Sequence, residues 1–199
     1  MLARVSHIES FRRWRLDDEK DVADLVADLT RDEPTERMLA GTAFHKALEI
    51  AEPGQYETLA ALGYTFNIEG VGTVSVPQAR EVRAFGRYGD LTVTGQTDGL
   101  NGKVIVDHKT TSSFDAESYL GGYQWRFYLD LFEADVFRWQ VFELRQYADD
   151  PEKFYRVTGP HHLAAYRYPA MRRDCELLAA DFLAFAMEHL PPDYARIAA

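Results

Sequence analysis

GQTDGLNGKVIVDHKTT, residues 95–111, reads as two β-strands joined by a tight turn at Asn101-Gly102, a dipeptide strongly preferred in two-residue hairpins. On the second strand Asp107 and Lys109 are two residues apart, so both side chains leave one face. Asp98 lies on the first strand, close to the turn. The run Val104-Ile105-Val106 predicts a buried strand, and it ends abruptly in Asp-His-Lys-Thr-Thr. Polar residues at the end of a core strand are where α/β sheets usually place sites. Taken alone, an Asp-x-Lys triplet is more often a solvated strand face. The strand-end context sets this one apart, because two carboxylates and a lysine converging there suit a hard divalent cation and a phosphodiester.

Around this hairpin the chain divides into elements. Gly89-Asp90 supplies a second turn, giving three strands at about 80–87, 90–99 and 103–110. Upstream, DDEKDVADLVADLT (17–30) sets Val22, Leu25, Val26 and Leu29 at helical spacing, with acids in the first turn. A second helix runs from near Pro34 to Ile50, stopped by Glu52-Pro53-Gly54. Residues 55–77 read as irregular, with a short strand at 64–68. Downstream come a helix over 115–133 interrupted at Gly121-Gly122, a strand at 136–147, a short strand near 153–158 and a long helix at 162–189. The order helix, three strands, helix, strand predicts an α/β sandwich around one mixed sheet. With no repeat or linker in view, one domain is expected over 1–199: an N-terminal helical segment (1–33), a core (34–147) and a C-terminal strand and helix (148–199).

Composition is that of a globular chain, 46% hydrophobic and 27% charged, and no apolar run approaches the roughly 18 residues that span a bilayer. No membrane association is therefore expected. MLARVSHIESFRRW contains no continuous apolar region, which argues against a secretory signal. The single cysteine, Cys175, excludes an internal disulfide and a cysteine-ligated zinc or iron–sulfur centre, so a reducing cytoplasm is the expected location. The formal net charge of −10 argues against extensive non-specific polyanion binding, but the charge is uneven. Residues 1–16 carry +3, residues 17–36 carry −7 and residues 79–109 carry +1, with Asp98 and Asp107 among the acids of the last stretch. A bound divalent cation would offset that pair.

Two helices offer further candidates. In GTAFHKALE (41–49), Ala40, Phe44, Ala47 and Leu48 make an apolar face, and His45 and Glu49 stack one turn apart. A lone helical histidine is more often a cap on a core edge than a ligand. Gly41 costs a helix roughly 1 kcal/mol relative to alanine, which favours a requirement for close approach. In YQWRFYLDLF, Gln124 and Tyr128 stand at i and i+4, beside the apolar stripe of Tyr123, Phe127 and Leu131. Read by itself, Tyr128 is more often packing than chemistry.

Taken together, Gly41-x-x-x-His45, Gly95-x-x-Asp98-Gly99, Asp107-x-Lys109 and Gln124-x-x-x-Tyr128 resemble, in order and spacing, the PD-(D/E)XK nuclease superfamily. More closely the pattern resembles its RecB-like branch, which includes single-domain phage-type exonucleases. Ser6-His-Ile-Glu-Ser-Phe11 is similar to the N-terminal segment of that branch, and the likeness covers about residues 6–145. The resemblance implies a restriction-endonuclease-like αβββαβ core and one or two Mg²⁺ or Mn²⁺ ions. The ions would be held by His45, Asp98, Asp107 and the main-chain carbonyl of His108. Lys109 would orient or deprotonate the attacking water, and Gln124 and Tyr128 would hold the active site or contact the DNA backbone. Glu81 matches an acid of some relatives, although Arg80 and Arg83 make a surface salt bridge an equal reading. Trp14 stands near where iron–sulfur members carry their first cysteine, which implies a cluster-free member. No GxxxxGK[ST] is present, so no helicase motor is expected within these residues, and unwinding, if needed, comes from elsewhere.

Phosphodiester hydrolysis needs charge neutralised at phosphorus and a hydroxide at neutral pH, which a cation held by oxygen ligands supplies. The leading expectation is a metal-dependent DNA exonuclease of recombination or repair, with DNA as partner and, by resemblance, a single-strand annealing protein as companion. A structure- or sequence-specific endonuclease, a catalytically silent nucleic-acid-binding module and an unrelated metal-dependent hydrolase are the alternatives. Phe85, Tyr88 and Trp125 are candidates to stack on unpaired bases. Phe137, Trp139 and Phe142 read as core. Arg12, Arg13 and Arg15 read equally as phosphate contacts and as partners of the acidic helix that follows.

Overall fold

A computed structural model describes residues 1–31, 33–52, 54–69, 74, 79–192 and 194, the side chain of Arg80 excepted. The chain opens with β1 (Leu2–Arg4) and α1 (Val5–Trp14), then α2 (Val22–Leu29) and α3 (Glu36–Ile50). The strands β2 (Thr58–Ala61), β3 (Tyr64–Glu69), β4 (Ala79–Tyr88), β5 (Leu91–Asn101) and β6 (Val104–Thr111) follow. Next come α4 (Ala116–Leu120), α5 (Gln124–Leu131), β7 (Val136–Arg145), β8 (Phe154–Tyr166) and α6 (Met171–His189). The succession α3–β4–β5–β6–α4/α5–β7 is the expected αβββαβ order. It lies in a mixed sheet flanked by helices, compatible with a restriction-endonuclease-like core.

Both helices predicted upstream of the strands begin on a side-chain cap. Asp21 and Asp24 close a reciprocal capping box at α2, and Thr35 accepts from the Met38 amide at α3. The sheet order is β1-β5-β6-β7-β8-β3-β2, with β4 antiparallel on the other edge of β5. The decisive feature is a fork in β5. Near the turn, where Gly102 adopts φ +58°, Gly99–Asn101 pair with Val104–Val106. Farther along the same edge, Thr92–Thr94 pair instead with β1, in parallel. Thus β6 leaves β5 just where Asp98 and Asp107 stand, and continues beside β7 to Thr111.

Two apolar clusters pack the sheet. The larger joins Ile8, Phe11, Leu25, Phe127 and Phe182 to strand residues Leu91, Val93, Ile105, Phe137 and Trp139. The smaller gathers Ala40, Phe44 and Ala47 of α3 with Phe66, Phe142 and Val157. Phe44 meets Phe66 and Phe142 edge-on at 5.1 and 4.9 Å, which fixes the helix over the sheet. Phe137, Trp139 and Phe142 are core, as expected.

The structure corrects several boundaries. The stretch read as irregular holds a second hairpin: β2 and β3 pair around Leu62-Gly63, both at positive φ, while residues 70–73 and 75–78 lie outside the described residues. The expected short strand at 153–158 continues to Tyr166, and the terminal helix starts at Met171 rather than 162. His161–Tyr166 contain helix formers, but they pair with Val136–Val141 of β7, and tertiary pairing overrides that preference. The N-terminal segment is not wholly helical, because β1 joins the sheet before α1 begins.

Candidate active site

The fork brings Asp98, Asp107 and Lys109 to one place, and α3 carries His45 over it. Asp98 Oδ2 accepts the backbone N–H of His108 at 2.7 Å, a ladder position left open by the departing strand. His45 Nδ1 stands 3.5 Å from the same oxygen. Gly41 sits one turn earlier on α3, where an added Cβ would lie 3.0 Å from Thr110 Oγ1. The glycine therefore lets the helix approach the tip of β6. The His108 ring donates from Nε2 to Gln140 Oε1 at 3.1 Å, while its Nδ1 stands 3.9 Å from Asp98 Oδ2.

Asp107 is 2% exposed. Its Oδ1 accepts from Lys109 Nζ at 3.0 Å, and its Oδ2 is buried with no hydrogen-bond partner. Burial pushes the Asp107 carboxyl above the usual carboxylate range, with the Asp98 charge adding and Lys109 opposing. For Asp98, burial acts upward but is outweighed by His45, Lys109 and the His108 amide, which hold it low. Burial would lower the Lys109 ammonium, yet Asp107 and Asp98 raise it above its ordinary value. The lysine is thus held charged between two carboxylates.

Gln124 and Tyr128 come to the same region from α5. Tyr128 is buried, donates to the main-chain carbonyl of Gln96 at 3.0 Å and takes a hydrogen bond from Gln124. It packs on the bare backbone of Gly95, where a Cβ would stand 2.3 Å from the ring. Burial raises the Tyr128 hydroxyl's pKa.

Of the cavities that border the tip of β6, two adjoin the site residues. One, of about 660 Å³, is bordered by Arg37, His45, Glu81, Asp98 and Thr110. The other, of about 420 Å³, is bordered by Ser6, Glu9, Arg13, Lys109, Thr110 and Gln124. Glu81 adopts φ +53°, accepts from the Gln96 amide and borders the first cavity; the Arg80 side chain lies outside the described residues.

Glu9 went unnoticed in the sequence, yet it organises the second cavity. Its buried carboxylate accepts from Arg12 at 2.9 Å, Arg13 at 3.1 Å and the Tyr123 amide at 2.7 Å. The signal was present in the i, i+3 and i, i+4 spacing of Glu9 to the two arginines. Arg15 pairs with Asp181 of α6. The partners of these arginines are therefore Glu9 and Asp181, not the acidic helix that follows. Of the stacking candidates, Tyr88 and Trp125 are buried, whereas Phe85 is 61% exposed.

Among the described residues, no three acidic, histidine or cysteine side chains converge closely enough to hold an ion as they stand. The chemistry of the donor set nonetheless fits a hard cation: carboxylate oxygens, one imidazole and a buried Oδ2 lacking a partner. Lys109 occupies only Oδ1 of Asp107, which leaves Oδ2 as the oxygen that could ligate.

No protein-family model and no curated protein sequence matches the chain. The solved structures to which the chain shows similarity include two at low identity. SSO0001 aligns with a TM-score of 0.48 at 16% identity, covering 92% of this chain and 75% of that one. LHK-Exo in complex with dAMP aligns with a TM-score of 0.47 at 13% identity, covering 94% of this chain and 88% of that one. No helix among the described residues is long and apolar enough to cross a membrane.

Proposed function

We propose that the chain is a Mg²⁺- or Mn²⁺-dependent deoxyribonuclease that hydrolyses DNA from an end. The observation that carries this reading is Asp107, a buried carboxylate with one oxygen unpartnered and the other on Lys109, at a fork shared with Asp98. A buried, half-satisfied carboxylate costs stability, and such arrangements persist at functional sites. The order and spacing of the four sequence motifs support the same reading.

In this mechanism Asp98, Asp107, His45 and the main-chain carbonyl of His108 would hold the cation. The ion, when bound, neutralises phosphate charge and acidifies water at neutral pH. Lys109, held charged by its two carboxylates, orients the nucleophile and offsets charge gathering on phosphorus. Gln124 positions Tyr128, whose bond to the Gln96 carbonyl holds β5 in place beside Asp98. The two cavities accommodate the strand on either side of Lys109. Thr110 borders both, and its neighbour Lys109 borders the one that Gln124 lines.

Digestion of linear and closed circular DNA in Mg²⁺, with wild type and Lys109→Ala, tests the proposal. Degradation confined to linear DNA, and reduced at least a hundredfold by Lys109→Ala, is expected. Cutting of closed circles transfers the chain to the endonuclease reading. Full activity in excess EDTA overturns the mechanism.

A further inference from the structure

The residues of β4 alternate sharply. Tyr88, Gly86 and Ala84 turn toward the larger core, while Arg83, Phe85 and Arg87 are exposed on the opposite side. An exposed phenylalanine alone is unremarkable in a folded protein. Its surroundings distinguish this one. Across β5, Arg83 faces Gln96, Phe85 faces Thr94 and Arg87 faces Thr92. On the far edge of β5, Arg4 of β1 is also in register with Thr94. The aromatic ring is therefore flanked by arginines along its own strand and answered by another across the sheet. Arg4 and Arg83 both border a cavity of about 230 Å³, with Ser6, Thr94 and Gln96 in its wall.

We propose that this face of β4 and β5 is a docking track for an unpaired nucleic-acid strand, carrying it toward the cavity of His45 and Asp98. The inference rests on the nuclease reading above and names its substrate form. Residues two apart on a strand repeat every 6–7 Å or so, here as cation, ring, cation. A single strand offers a phosphate to each guanidinium and a base face to the ring, whereas a duplex keeps its bases stacked inside. Continuity with the site runs through Gln96, which accepts from Arg83 Nη2 at 3.0 Å and donates to Glu81, itself on the rim of the Asp98 cavity. Acids among the described residues border the track. Glu81 stands at its cavity end, and Asp90 at the turn lies 3.6 Å from Arg87, with a side chain 91% exposed. Such an exposed pair contributes little and yields readily to a phosphate. Elsewhere, Arg145 and Arg156 are held by Glu143 and Asp150 at 2.7 and 3.0 Å, with side chains of those acids nearly buried, so that surface is the poorer polyanion site.

The test is the anisotropy of fluorescein-labelled oligothymidylate, and of a labelled blunt duplex, titrated with protein in EDTA so that nothing is cut. Phe85→Ala should weaken oligothymidylate binding about five- to a hundredfold, and Phe85→Trp should restore it. Arg83→Gln combined with Arg87→Gln should flatten the slope of log affinity against log salt by about 1.4, roughly 0.7 for each guanidinium withdrawn from a phosphate. Duplex affinity should change far less with Phe85→Ala. Wild-type affinity in Phe85→Ala, an unaltered salt slope, or an equal loss on duplex each overturns the track. A parallel digestion in Mg²⁺ separates the two claims. If wild type cuts DNA while these variants bind normally, the track fails and the nuclease stands; if wild type binds as described yet cuts nothing, the reverse holds.

Discussion

Asp98 Oδ2 and the amide of His108 are 2.7 Å apart, and that bond spans the point where β5 and β6 part company. A side chain there takes over a backbone pairing, so one carboxylate both staples the fork and presents its charge to His45 and Lys109. Removing it therefore alters structure and chemistry together. Asp107 is better placed to separate them.

Asp107→Asn should leave the fold intact and raise its stability, because it replaces a buried charge that lacks a partner on Oδ2. A gain of about 1 kcal/mol, read as a higher thermal midpoint, is expected together with at least a hundredfold loss of DNA cleavage. A variant both less stable and fully active would contradict the assignment.

Cation binding should be visible without substrate. Mg²⁺ or Mn²⁺ at a hundred times its Kd stabilises the folded chain by about 2.7 kcal/mol. Scanning calorimetry should show the midpoint rising with added ion, falling back with EDTA, and barely responding in Asp98→Asn or Asp107→Asn.

His7 supplies a pH dependence of its own. Burial, with Arg4 adding, lowers its pKa from 6.5 to about 4, and its ring hydrogen bonds the Tyr194 hydroxyl. Between those values the unfolded chain takes up a proton that the folded chain refuses, so stability falls as pH drops through that window. Urea midpoints across the window should show wild type losing about 2–3 kcal/mol more than His7→Gln, a difference that cancels the opposite-signed contribution of Asp107, whose raised pKa is common to both proteins.

Gly95→Ala should cost about 1–3 kcal/mol, since its Cβ would stand 2.3 Å from the Tyr128 ring. The penalty should shrink when Tyr128→Leu is combined with it, a non-additivity that thermal melts of the single and double variants would reveal. Cleavage should fall in the single variant as well, because β5 carries Asp98.

The hairpin and its neighbours were legible because local signals agreed there: an Asn-Gly turn, a β-branched run and polar residues at its end. The helix opening near Pro34 was legible for the same reason, whereas the stretch read as helical over 17–30 is trimmed by the capping box at Asp21 to Val22–Leu29. The far half of β8 was not, because Leu163, Ala164 and Ala165 favour a helix until β7 offers them a partner. Nor was β1, whose three residues become a strand only when β6 vacates the edge of β5. Glu9 was hidden differently: an acid in an arginine-rich helix looks like surface until the amide of Tyr123, 114 residues away, is seen to reach it. Long-range pairing decided each of these cases.

The split of the core into two clusters bears on tuning. His45 rides on α3, anchored by Phe44 in the smaller cluster, whereas Lys109 and Gln124 lean on the larger one. The gap between imidazole and carboxylates is consequently set by how tightly two hydrocarbon layers clasp the sheet from opposite sides. Trimming Phe44 or Phe66 would loosen the grip on an ion from a distance, making the aromatic stack beneath α3 a dial for metal affinity that no ligand-directed substitution would touch.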